Sequence, residues 1–138
     1  MKILLDTNIV LDILLKREKF FLRSREIFIL VEEKKVEGFL SASSFTTIYY
    51  LISKYLSKKE ADESIEILLK LFDVTYLDKN IIKNAVENNG VDFEDSVIYT
   101  SAYYEGIDYI ITRDKRGFKN FKVECLNPEN FLAFWNSL

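Results

Sequence analysis

Of the 22 acidic residues in this chain, five in three separated segments could act together: Asp6; Asp92, Glu94 and Asp95; and Asp114. Carboxylates brought to one place repel each other unless a cation or a proton sits among them. Their hard oxygens suit Mg²⁺ or Mn²⁺, ions that keep positions open for water and phosphate oxygens. An ion held in this way activates water and neutralises charge that develops on a phosphodiester. Histidine is absent, which removes Ser-His-Asp and Cys-His catalysis and a histidine zinc site. Acid–base or metal chemistry therefore falls to carboxylates, lysine or tyrosine.

The elements that must position these acids are read from hydrophobic spacing. Lys2–Asp6, Gly38–Ala42, Val74–Leu77, Tyr109–Thr112 and Val123–Leu126 read as short strands. Ile9–Leu15, Phe20–Val36, the run from Phe45 to Leu56, the run from Ala61 to Phe72, Asp78–Asn89 and Asp92–Glu105 read as helices, the last two stopped near Gly90 and at Gly106. Pro128 starts a final helix through Trp135. Strands alternating with helices predict an α/β fold, a parallel sheet flanked by helices on both faces in three layers. The first strand is apolar without alternation, as a central strand covered on both sides should be.

In such a sheet, ligands bind beyond the carboxyl ends of the strands. Asp6 ends the first strand, and Asp114 follows the strand that ends at Thr112. The helix opened by Asp92, Glu94 and Asp95 leads into that same strand, so its N-terminus lies at the same rim. Each acid also has a plainer role. Asp92 suits an N-cap, Glu94 and Asp95 suit the positive end of a helix, Asp6 suits the cap of the helix near Ile9, and Asp114 suits a turn with Gly117. Their convergence favours the metal reading over capping alone.

Composition bounds the rest. A chain of 138 residues fits one domain over residues 1–138, large enough to bury a core without staples. A net charge of −3 leaves no basic coat, so any nucleic-acid contact must be local. The single cysteine, Cys125, precludes an internal disulfide and fits a reducing cytoplasm, as a buried structural thiol. Lys2 runs directly into a strand-like segment, so no signal peptide is expected. The uncharged stretch Phe39–Ser53 is too short and too polar to span a bilayer.

Arg113, Lys115, Arg116, Lys119 and Lys122 crowd the segment after the fourth strand, interleaved with Phe118 and Phe121. Cations beside an acidic metal site are placed to grip RNA phosphates, while the two phenylalanines read as core packing. A second basic stretch, Lys16, Arg17, Lys19, Arg23 and Arg25, follows the helix after Asp6 and is placed to flank the same groove, with Arg17 as an RNA contact; a solvated helix surface accounts for it equally well. The Tyr49-Tyr50 and Tyr103-Tyr104 pairs read as core and interface packing.

The same residues carry a family resemblance. Ile3-Leu4-Leu5-Asp6-Thr7-Asn8 resembles the opening motif of the PIN-domain nucleases and, within them, of the VapC-like toxins. Asp92-Phe93-Glu94-Asp95-Ser96 through Ala102 resembles the helix that carries their later acidic ligand, at the position of Asp95, and Gly106 through Asp114 resembles their closing strand with its Thr-Arg-Asp. The ordered trio covers essentially the whole chain. The resemblance implies a divalent-metal site, endoribonuclease activity, a small antitoxin partner and a homodimer. It implies that Asp6, Asp95 and Asp114 are ligands or water-positioning carboxylates, that Asn8 and Thr112 hydrogen-bond within the site, and that Asp92 supports it.

One position departs from the family pattern: Thr47 stands where the family usually places a glutamate, on the helix after the second strand. On the helical wheel Phe45, Ile48, Tyr49, Ile52 and Leu56 define the buried stripe, and Thr47 lies off it with Ser43, Tyr50 and Lys54. A neutral hydroxyl there predicts weak metal affinity. The alternative is a PIN-fold binding module with weak or lost catalysis. A receiver-type phosphoryl-transfer domain fits poorly, since no Asp-x-Asp follows the first strand and no aspartate ends the third.

Overall fold

The short apolar runs become five strands: β1 (Lys2–Leu5), β2 (Glu37–Ser41), β3 (Asp73–Thr75), β4 (Tyr109–Ile111) and β5 (Glu124–Leu126). The structure is a computed structural model that describes residues 1–87, 92–113 and 122–138. The strands form one sheet in the order β3-β2-β1-β4-β5, and every pairing is parallel. β1 is central, with Leu4 opposite Phe39 on one side and Ile110 on the other. Around the sheet lie α1 (Thr7–Leu14), α2 (Phe21–Glu32), α3 (Ala42–Tyr55), α4 (Lys58–Leu71), α5 (Lys79–Glu87), α6 (Phe93–Glu105) and α7 (Pro128–Asn136).

The period of two along β1 divides the core. Ile3 and Leu5 join Ile9 and Val10 of α1, Ile27 of α2, Ile48 and Ile52 of α3 and Phe131 of α7. Leu4, between them, faces the other way and packs with Ile98, Tyr99 and Ala102 of α6. All three side chains are fully buried. This is why the strand needs no polar alternation: each face is covered by helices. At roughly 25 cal/mol per Å² of apolar surface, each such side chain contributes about 2 kcal/mol to holding the two layers on the sheet.

Helix starts follow their caps. Asp6, Ser41, Ser57, Asp92 and Asn127 each precede a helix and accept a backbone N–H of its first turn. Gly106 ends α6 at φ 75, a left-handed conformation that glycine adopts without penalty. Gly38 serves packing instead, since a Cβ there would lie 2.7 Å from Phe72 and Val31.

Several expectations shift. The helix read over Phe20–Val36 ends at Glu32, and the chain then turns through Lys34 at φ 59. Leu56, assigned to the buried stripe of α3, is 49% exposed because the helix has already ended at Tyr55. Tyr50, Tyr103 and Tyr104 are exposed, not core, whereas Tyr49 is half-buried and donates to Asp62 Oδ1 at 2.8 Å. Cys125 is half-buried on β5. The expected stop at Gly90 lies outside the described residues.

Candidate active site

Asp6 stands at the carboxyl end of the central strand, where β1 gives way to α1. Its backbone N–H donates to Ile111 O at 2.9 Å, which ties the end of β1 to the end of β4. Its side chain is only 6% exposed. Oδ1 accepts Thr7 N–H at 2.8 Å as a helix cap, and Oδ2 accepts the Thr112 hydroxyl at 2.9 Å. Thr112 is itself fully buried, with its N–H on Leu126 O at 3.0 Å, so β5 also braces this edge. Capping and a ligand role are thus compatible: one oxygen is held by the helix cap, and the donor on the other is a neutral hydroxyl.

From the other side, α3 and α6 bring their first turns to the same rim. The Thr7 hydroxyl donates to Ser44 Oγ at 2.8 Å, linking α1 to α3. One turn further along α3, the Thr47 hydroxyl donates to Glu94 Oε1 at 3.3 Å. Thr47 therefore faces the acid-bearing helix, as the helical wheel predicts. The Glu94 carboxyl titrates above the ordinary glutamate range. Burial is the largest cause, and the negative charges of Asp92 and Asp6 push the same way, while hydrogen bonds from Thr47 and Thr7 oppose.

The remaining acids flank this pair. Asp92 is exposed and caps α6 through Glu94 N–H at 3.3 Å. Asp95 is half-buried in the first turn of α6. Asp114, Lys115, Arg116, Phe118, Lys119 and Phe121 lie outside the described residues. Asn8 is exposed and accepts from Arg17 Nη1 at 3.4 Å.

The two arginines named for RNA contact converge on a residue that the sequence reading passed over. Asp12, on α1, has 0% exposure. Its Oδ2 accepts Arg113 Nε at 2.9 Å, and its Oδ1 accepts Arg113 Nη2 at 3.0 Å and Arg17 Nη1 at 3.2 Å. The Arg113 guanidinium also lies 3.8 Å from the centre of the Phe20 ring. A bidentate ion pair with an aromatic floor fixes that guanidinium in place. The signal for Asp12 was present: an aspartate between Leu11 and Ile13 on an apolar helix can be buried only if a cation meets it.

Glu94 is the other residue underweighted. All three acids of the Asp92–Asp95 group were visible, but adjacent helical residues point about 100° apart. Which of them meets Asp6 depends on how α6 rolls against the sheet, and only packing sets that.

Whether these groups suit a divalent ion follows from their chemistry. Among the described residues no three carboxylates stand close enough together to hold an ion. Asp6, Glu94 and the Thr47 and Thr112 hydroxyls nonetheless form an all-oxygen set, the hard donors that Mg²⁺ and Mn²⁺ take. Glu94 is held above its usual range partly by like charge, a strain that a bound cation relieves. The donor set fits.

Comparison with known proteins bears on the fold and the family. Ribonuclease VapC1 of Aquifex aeolicus is 29% identical across 99% of this chain and 97% of its own length. Among solved structures, VapBC of Salmonella typhimurium, crystallised bound to DNA, superposes with a TM-score of 0.71 at 18% identity, covering 93% of this chain and 98% of that one. VapC20 of Mycobacterium tuberculosis, described as a sarcin-ricin loop cleaving toxin, gives a TM-score of 0.70 at 14% identity over 87% of this chain and 96% of that one. The family model for the PIN domain matches residues 2–116, a span that includes Asp6, Thr47, the acid-bearing start of α6 and Thr112. On that match, which covers most of the chain, the chain belongs to the PIN domain family.

Proposed function

We propose that residues 1–138 act as one PIN-like domain that hydrolyses RNA phosphodiester bonds with Mg²⁺ or Mn²⁺, as the toxin of a toxin–antitoxin pair in the cytoplasm. The observation that carries this reading is the buried Asp6 carboxylate at the end of β1, with Glu94 and Thr47 brought to the same rim. The likeness to Ribonuclease VapC1 supports RNA as the substrate. No described helix is long and apolar enough to cross a membrane.

Asp6, Asp95 and Asp114 would hold the ion and position the attacking water, with Thr112, Asn8 and Asp92 supporting them. The ion would supply Lewis acidity, lowering the pKa of a bound water and neutralising charge that develops on the phosphodiester. Glu94 extends the set: it accepts from Thr47, the position where the family usually has a glutamate, so α6 offers the carboxylate that α3 lacks. The Asp6 carboxylate is locked by Thr7 and Thr112, so it meets its ligand without losing rotamer freedom. Arg17, Arg113, Lys115 and Arg116 would contact RNA phosphates.

For partners, the exposed side of α3 and α4 is the surface of interest. An apolar cleft of about 460 Å³ there is lined by Phe45, Thr46, Tyr49, Tyr50, Ser53 and Ile65. Homodimerisation or docking of an antitoxin segment would cover it.

The test is cleavage of several structured RNAs by pure protein with Mg²⁺ or Mn²⁺ and with EDTA. Cleavage that needs the ion and falls about 100-fold or more in Asp6→Asn is expected, since even groups behind the ligands of a metal site are worth about 10–100-fold. RNA binding without cleavage under every metal condition would favour the binding-module reading, for which the neutral Thr47 is the motive.

A further inference from the structure

Beside the acidic rim, on the β5 side, a cleft of about 470 Å³ opens between the start of α2 and the start of α7. Its lining combines Lys19, Arg23 and Arg113 with Ser24, Asn127 and Glu129, over Phe20 and Pro128. Three cations against one carboxylate is an unusual balance in a chain whose net charge is −3. Asp12 and Phe20 hold Arg113 in place, and Asp12 engages Nε and Nη2, leaving Nη1 outside that fork. Lys19 Nζ lies 5.6 Å from the centre of the same Phe20 ring, so two cations share one aromatic. Among the described residues Arg23 pairs with Glu26 at 3.6 Å, with both side chains largely exposed. An ion pair of that kind is worth about 0–1 kcal/mol and yields readily to a better partner.

Two further features point to an anion. Phe20 precedes α2 without making a side-chain cap; Phe21 N–H donates to Arg17 O at 2.9 Å, so the Leu22 and Arg23 N–H groups and the positive end of the helix dipole are what the start of α2 offers. Ser24, in the same cleft and with 0% exposure, has a hydroxyl with no hydrogen-bond partner among the described residues. A buried hydroxyl left unpaired costs about 1–3 kcal/mol, a cost that an acceptor entering the cleft would recover.

We propose that this cleft is a phosphate subsite that holds a backbone phosphate of the RNA next to the scissile one, with Lys19, Arg23 and Arg113 as its cations and Ser24 and the start of α2 as its donors. The inference rests on the ribonuclease reading for the identity of its ligand. The chain itself supplies the connection: Arg113 directly follows Thr112, whose hydroxyl is on Asp6. One peptide unit thus separates a residue of the Asp6 rim from a residue of the cleft. The arrangement separates two tasks along one edge of the sheet, with carboxylates where an ion must sit and cations where the substrate's own charge must sit.

The experiment compares wild type with the double variant Lys19→Gln/Arg23→Gln, with Lys58→Gln/Lys59→Gln on α4 as control. Binding of a labelled single-stranded RNA in EDTA is measured across a salt series. The expected result is about tenfold weaker binding by the Lys19/Arg23 variant and a salt slope shallower by about 1.4, the share of two phosphate contacts on a single strand. In cleavage assays the loss should fall mainly on KM, whereas loss of an ion-binding carboxylate falls on kcat. Wild-type cleavage with unchanged binding and slope in the double variant overturns the subsite and leaves the nuclease reading intact. If wild type neither binds nor cuts RNA, the nuclease reading fails, and inorganic phosphate then decides. A phosphate-dependent rise in melting temperature that the double variant loses keeps the anion site, and its absence removes it.

Discussion

Two aspartates six residues apart, Asp6 and Asp12, are both buried, yet the donors they meet differ in charge. Asp6 takes its hydrogen bonds, among those the described residues show, from a backbone N–H and a hydroxyl. Those two donors are neutral, so they orient the carboxylate without themselves neutralising it. Asp12 meets two guanidinium groups, Arg17 and Arg113. Its charge is spent on fixing the end of β4 and the turn after α1. A buried carboxylate is thus a ligand or a brace according to the charge of its donors, and burial alone does not tell the two apart.

The comparison breaks most sharply on stability. Asp12→Ala strands two partly buried arginines and should cost about 3 kcal/mol, the scale for removing one partner of a buried ion pair. Asp6→Asn keeps size and one acceptor for Thr7 N–H, with the Thr112 hydroxyl turning to accept from the amide, and should cost about 1 kcal/mol while abolishing metal-induced stabilisation. Urea unfolding with and without Mn²⁺ reads both. Equal destabilisation by the two variants would mean that Asp6 is a brace as well.

A smaller effect is expected at Thr47. Thr47→Glu puts a second carboxylate where Glu94 now accepts a hydrogen bond at 3.3 Å. In EDTA the added repulsion should cost about 1 kcal/mol, within the ordinary range for a single substitution. With Mn²⁺ the extra ligand should tighten binding about tenfold, as changes around a metal site commonly do. An unchanged Mn²⁺ titration would show that this face of α3 does not reach the ion.

The smallest effect concerns pH. The folded-state pKa of Glu94 is raised above its ordinary value of 4.5, chiefly by burial. The native state therefore binds this proton more tightly than the unfolded state. The stability it lends is fully present below the ordinary glutamate value and is lost as pH rises through the raised folded value. In EDTA the melting temperature should decline modestly over that window, and Glu94→Gln should flatten the decline. Mn²⁺ should flatten it too, by favouring the ionised carboxylate. A wild-type decline that Glu94→Gln leaves unaltered would place its source elsewhere.

Much of this protein was legible in the residues themselves. The order of strands and helices, the central place of Lys2–Leu5, and Asp6 at a strand end follow from periods of two and 3.6 and from the rule that a strand buried on both faces is apolar throughout. These are local properties, written into neighbours along the chain. Asp92 as a cap and Thr47 off the buried stripe were legible for the same reason. What only the tertiary structure decided are pairings between distant segments. Arg113 reaches Asp12 across 101 residues of chain, and Thr112 reaches Asp6 across 106. Glu94 rather than its neighbour meets Thr47 because α6 settles on Leu4 and Phe39 with one particular roll. A turn of 100° between consecutive helical residues changes which acid faces a site without changing the hydrophobic pattern enough to be read in advance. Sequence therefore set which elements reach the rim, and packing set which side chains meet there.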